Sequence, residues 1–145
     1  MIRHVIAFLV GFLTFSITGS IALFVLMNLE GSPLSAAFQA FDAQHESLFF
    51  ELIEKSVWIL ILFVLPFISF VAAIATGFVC RKQEYLIAAL SVTPYYVIFF
   101  VLSGALFHIY SLCAFVTMGA TVIFGAFLSK GIKRSLLKHE VRKTQ

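Results

Sequence analysis

SVWILILFVLPFISFVAAIATGFVC, residues 56–80, is the stretch whose reading decides the fold. It holds no Asp, Glu, Lys or Arg. At ~1.5 Å per residue a helix of this length crosses the ~30 Å hydrocarbon core of a bilayer. Unpaired backbone groups in lipid cost several kcal/mol each, so a spanning segment is a helix or part of a closed barrel. The period-2 alternation that a barrel strand needs is missing, which leaves the helix.

Outward from this segment, residues 4–29, 85–107 and 111–129 are likewise free of Asp, Glu, Lys and Arg. Each reaches or approaches the length of a span. Composition agrees: 61% of residues are hydrophobic, 18 are Phe, and only 12% are charged. Soluble domains carry about a quarter charged residues, so much of this chain faces something other than water. The expectation is an all-α integral membrane four-helix bundle, residues 1–145 forming one domain, with an additional outer amphipathic helix over 32–54 and a basic inner tail over 130–145.

Arg3 ahead of an apolar run gives the first span the look of a signal peptide. Signal cores run about 7–15 residues, whereas this one continues through Ile21, Leu23, Phe24 and Val25. The segment reads as a retained anchor.

Basic residues set the orientation. With the N-terminus inside, Arg3, Arg81, Lys82 and the six basic residues from Lys130 onward are cytoplasmic, and only Lys55 is outside. Glu30, Asp42, Glu46, Glu51 and Glu54 then share the outer loop. Both termini are expected inside, and the short loops with their basic interior suit a bacterial inner membrane. Residues 81–84 form a tight inner turn and 108–110 a tight outer one, so the last three spans are antiparallel neighbours.

Only residues 30–55 have room for structure of their own. Ser32-Pro33 is a good helix start. Beyond it Leu34, Phe38, Phe41, His45, Leu48 and Leu52 recur at spacings of three and four, with Gln39, Asp42, Glu46 and Glu54 largely opposite. This predicts an amphipathic helix along the outer membrane–water boundary. Its acidity gives no attraction to an anionic bilayer. A lid over the bundle explains it; a partner surface built on Phe38, Asp42, His45 and Glu46 is the sharper reading.

Candidate chemistry is sparse. Asp42, His45 and Glu46 at i, i+3 and i+4, with His108 at the other outer turn, offer nitrogen and oxygen donors. A solvated helix face accounts for them equally, and no metal or cofactor is expected. Cys80 and Cys113 fall at opposite faces of the bilayer, too far apart for a disulfide. Pro66 and Pro94 both sit near mid-membrane and free carbonyls around Leu62 and Leu90. Paired helix breaks at that depth line substrate sites in transporters, so Pro66, Thr93, Pro94, Tyr95 and Tyr96 define a possible pocket. Ordinary packing kinks explain the prolines without one.

Small residues form stripes: Gly11, Thr14, Thr18 and Ala22 in the first span; Ser69, Ala73, Thr76 and Cys80 in the second; Ala114, Thr117, Thr121 and Gly125 in the fourth. Such stripes let membrane helices approach closely. No ionisable acid or base lies inside a span, whereas proton-coupled transporters need one at depth. Small multidrug transporters depend on a glutamate in their first helix; here that helix offers only Thr14, Ser16, Thr18 and Ser20. No catalytic set converges, so no enzyme is expected and no catalytic residue is assigned. Basic and aromatic residues do not interleave, which excludes nucleic acid as a partner.

The basic tail continues the fourth span with Leu136, Leu137 and Val141 and is expected to lie on the anionic inner leaflet. The function these features suggest is a non-enzymatic subunit, assembly factor or scaffold of a membrane complex, with the lipid bilayer and a membrane protein, or a second copy, as partners. An oligomeric transporter or flippase-like carrier of a lipid or neutral solute is the alternative, and a holin-like pore-former a third reading.

Overall fold

The computed structural model describes the backbone of residues 2–43, 45–80, 83–103 and 108–143, and apart from short turns these are helical, with no strand among them. Five helices follow one another: α1 (Ile2–Asn28), α2 (Pro33–Asp42), α3 (Glu46–Val79), α4 (Glu84–Ser103) and α5 (His108–Lys143). Among the described residues three apolar stretches are long enough to cross a membrane: all of α1, all of α3, and Leu112–Leu136 within α5. The apolar part of α4, Glu84–Ile98, is shorter. Residues 104–107, expected to complete that span, lie outside the described residues.

α1 ends where the Asn28 amide donates to Phe24 O at 2.8 Å and Gly31 takes a φ of +80°, a turn that L side chains rarely adopt. Ser32 then caps α2. Its Oγ accepts from Ser35 N at 3.0 Å and donates to Leu26 O, tying the new helix to the end of α1.

The amphipathic segment expected as one helix over 32–54 is two. α2 stops at Asp42, the Ala43 and His45 amides close its end on Gln39 O and Ala40 O at 3.0 Å each, and α3 begins at Glu46. Folding back buries Ala37 and Ala40, and α2 packs on α3 and α1. Periodicity could not register the break, because Phe41 and Phe49 still face each other across it. Asp42 and Glu46 are therefore on separate helices and do not share a face with His45 as an i, i+3, i+4 set.

α3 starts ten residues before the expected span at 56. At ~1.5 Å per residue its 34 residues extend ~51 Å, well beyond a bilayer core. One π turn, Leu60–Val64, interrupts it just before Pro66. There the Leu65 N–H bonds Leu60 O. Ile61 O then has no donor in its own helix: Leu65 is spent, and Pro66 has no N–H. Thr117 Oγ1 of α5 lies 3.3 Å from that carbonyl, while its shortest bond runs to Cys113 O at 2.7 Å.

The core draws on four helices: Phe15 from α1; Ile68, Ala72 and Ala73 from α3; Ala88 and Val92 from α4; Met118, Val122 and Ala126 from α5. Small residues set the approach. Gly11 lies against Thr76 and Ser91, Gly77 against Ser129, and Gly125 against Phe70 O and Ala73. All four stripe residues of α3, Ser69, Ala73, Thr76 and Cys80, are fully buried. Their hydroxyls bond the helix backbone behind them, Ser69 to Leu65 O and Thr76 to Ala72 O, so none is orphaned.

α5 is unbroken to Lys143. The expected outer turn 108–110 is its first turn, and residues 130–143 of the basic tail continue the same helix, as the apolar residues at 136, 137 and 141 suggested.

Candidate functional site

Tyr95, near the middle of α4, is the focal point. α4 carries it toward α1, where its ring stacks on Phe15 and Phe12 with centroids 4.1 and 5.0 Å away. Its hydroxyl pairs closely with Ser16 Oγ and also donates to Phe12 O at 3.1 Å. Next to this pair a cleft of about 350 Å³ runs between α1 and α3. Ser16, Gly19, Ser20, Leu60, Ile68 and Tyr95 are among its walls. The walls are apolar except for these hydroxyls, which suits a chain-like apolar molecule carrying one hydrogen-bonding group.

Of the five residues expected to form a pocket, Tyr95 alone lines this cleft. Pro66 is buried in α3, immediately past the π turn. Thr93 is exposed and donates to Ala89 O at 2.8 Å, so it does not serve the Leu90 carbonyl that Pro94 frees. Tyr96 tilts onto Phe115, centroids 5.2 Å apart. Adjacent tyrosines on a helix point about 100° apart, so they cannot share a site. The α1 side of the cleft was legible only as a row of hydroxyls, Ser16 and Ser20 among them, whose partner no spacing rule identifies.

At the end where α3 stops and α4 begins, Cys80, Glu84 and Lys133 come together. The Lys133 ammonium donates to Cys80 O, the last carbonyl of α3, and stands 3.8 Å from the Glu84 carboxylate at the start of α4. Only 10% of the Glu84 side chain and 24% of the Lys133 side chain are exposed. Lys130 lies over the Tyr85 ring, 5.8 Å from its centroid. This clasp joins α3, α4 and α5. Sequence reading had placed Glu84 in a turn and Lys133 in a surface tail.

At the opposite end Trp58 packs on Tyr110, centroids 4.7 Å apart, and the Tyr110 hydroxyl donates to Glu54 at 3.1 Å. Partial burial, and then the Glu54 carboxylate, push the Tyr110 hydroxyl above the usual tyrosine range. Lys55 bonds Glu51 at 2.7 Å and holds that carboxyl below its ordinary value. Further out, Phe38, Asp42, His45 and Glu46 are all exposed. No group of three metal-ligating side chains occurs among the described residues. The His108 side chain is outside them. Neither Cys80 nor Cys113 is in a disulfide, and they stand at opposite ends of their helices. No known protein family, curated protein or solved structure matches this chain.

Proposed function

We propose that this chain is a four-span integral membrane protein, both termini cytoplasmic, that serves as a non-enzymatic subunit, assembly factor or scaffold of a membrane complex. The observation that carries the reading is an inverted distribution of side chains. Ala7, Ala72, Ala73, Ala88, Ser91 and Ala126 are buried, while Phe63, Phe67, Phe127 and Ile17 are about 60% exposed or more. Only 11% of the apolar window of α1 is buried. Water would expel such a surface; lipid accepts it, and small residues inside are what close helix packing in lipid requires.

Spacing along α3 supports the same placement. Trp58 to Cys80 is 22 residues, ~33 Å of helix, close to the ~30 Å hydrocarbon core. Trp58 and Tyr110 then sit at the outer boundary, where such rings are enriched, and the Glu84–Lys133 clasp at the inner one. Between these levels the chain presents hydroxyls and backbone but no charge, which favours assembly over ion-coupled transport. A short-looped protein of this kind with a basic interior suits a bacterial inner membrane.

Native mass spectrometry after gentle extraction at natural expression level tests the functional reading. A stoichiometric protein partner is the expected result. A homo-oligomer carrying a defined lipid or solute, and no partner, would overturn it. That second outcome belongs to the carrier reading, which the cleft beside Tyr95 favours. Under it, Tyr95→Phe removes the hydroxyl that bonds Ser16 and Phe12 O beside the cleft and cuts flux, whereas Tyr96→Phe leaves flux intact.

A further inference from the structure

We infer that the outer end of the molecule is a docking surface for a cationic amphipathic segment of another protein. The inference rests on the subunit reading above for its biological meaning and on the following geometry for its chemistry. α3 is one helix from Glu46 to Val79, so positions along it measure height. Phe49 is nine residues beyond Trp58, ~13 Å further out at ~1.5 Å per residue. The headgroup layer adds only ~5–8 Å to each side of the hydrocarbon core. With Trp58 at the outer boundary, as proposed above, Phe49 and Phe50 stand in the aqueous phase above the bilayer.

The break between α2 and α3 brings a second set of rings to the same height. Phe41 packs on Phe49 and Phe49 on Phe50, each pair with centroids 5.5 Å apart. The hairpin is firmly held, since Ser32 ties α2 to Leu26 O while Ala37 and Ala40 are buried beneath it. Yet Phe38 is 47% exposed, Phe41 64% and Phe50 67%. A fixed aromatic cluster left bare to water is a surface that another protein covers.

Charge selects the kind of protein. Asp42 is one turn from Phe38 and next to Phe41, and Glu46 is one turn from Phe49 and Phe50. Both acids are exposed, and neither makes an ion pair or hydrogen bond among the described residues. The nearest cation, Lys55, is engaged by Glu51. An anionic lipid surface is repelled by this rim. A second copy would bring acid against acid. A segment with Leu or aromatic anchors flanked by Lys and Arg satisfies rings and carboxylates together.

The test uses the full-length chain in nanodiscs of zwitterionic phosphatidylcholine. The probe is a fluorescent amphipathic peptide bearing Lys and Arg beside Leu and Phe, compared with the same peptide carrying Glu for Lys and Arg, with binding to empty discs subtracted. The basic peptide binds saturably, and raised salt weakens it. D42N/E46Q, exposed changes that leave the fold intact, and F41S/F50S each weaken it about tenfold or more. Equal binding of the two peptides, or of wild type and D42N/E46Q, overturns the proposal. Depth is checked on F50C carrying a nitroxide, with Cys80 and Cys113 replaced by Ala. Collisions with a water-soluble nickel chelate should exceed those with oxygen, and the reverse places the cluster in lipid and overturns the proposal. Because this measurement needs no natural partner, its failure is distinct from that of native mass spectrometry. A basic peptide that binds a chain with no native partner keeps the surface and loses the subunit role; the opposite pair of results does the reverse.

Discussion

A Cβ placed on Gly77 would fall on Ser129 Oγ and sit 2.7 Å from the Ser129 Cβ; the hydroxyl can rotate away, but the Cβ is fixed to the α5 backbone. One placed on Gly119 meets no atom within 4 Å. The two glycines thus make a matched test of whether close approach of α3 and α5 holds the molecule together. Gly77→Ala should destabilise by about 1–3 kcal/mol through overpacking. Gly119→Ala should be neutral or stabilise by up to ~1 kcal/mol, because Ala is the better helix former. Unfolding by SDS titration in bicelles reads both. The Glu84–Lys133 clasp gives a second prediction at this scale. Lys133→Met leaves a largely buried carboxylate beside Cys80 O without its ammonium, and should cost more than the double variant Glu84→Gln/Lys133→Met. A coupling energy of ~1 kcal/mol or more is expected, since the pair is mostly shielded from solvent.

At the scale of elements, the π turn in α3 has a specific cause and a specific partner. Pro66 deprives the preceding turn of a donor, and the Thr117 hydroxyl of α5 approaches the Ile61 carbonyl left over. Thr117→Val should therefore cost about 1 kcal/mol in the native chain and clearly less when Pro66 is also replaced by Ala, which restores the N–H. The same unfolding titration, run as a double-variant cycle, measures it. The position of Pro66 in the chain was enough to anticipate a freed carbonyl near Leu62; that a hydroxyl of another helix approaches it was not readable, because no local pattern links residues 61 and 117. The break at Ala43 was hidden for a related reason. Apolar spacing of three and four continues across it, and only the burial of Ala37 and Ala40 requires α2 to fold back. Tyr95 was singled out from its place beside Pro94, but its partner Ser16 is 79 positions away, and hydroxyls on a helix do not announce what they face.

For the molecule as a whole, apolar runs were sufficient for the all-helical architecture and for three helices long enough to cross a membrane, because that property is set by length and composition alone. The small-residue stripes anticipated which faces pack, since Gly11, Thr76 and Gly125 all lie at close contacts between helices. The Glu84–Lys133 clasp was not legible. Glu84 and Lys133 are 49 positions apart, and each looks like an ordinary boundary charge until three helix ends converge. Everything proposed about function depends on one placement: the acidic hairpin outside, the basic end of α5 inside, and uncharged helix between. Cysteine accessibility in intact cells tests it most directly. With Cys80 and Cys113 replaced by Ala, His45→Cys and Lys143→Cys are each exposed to a membrane-impermeant maleimide before and after permeabilisation. The account predicts labelling of position 45 in intact cells and of position 143 only after permeabilisation. Labelling of position 143 from outside, or of both positions alike, would contradict it.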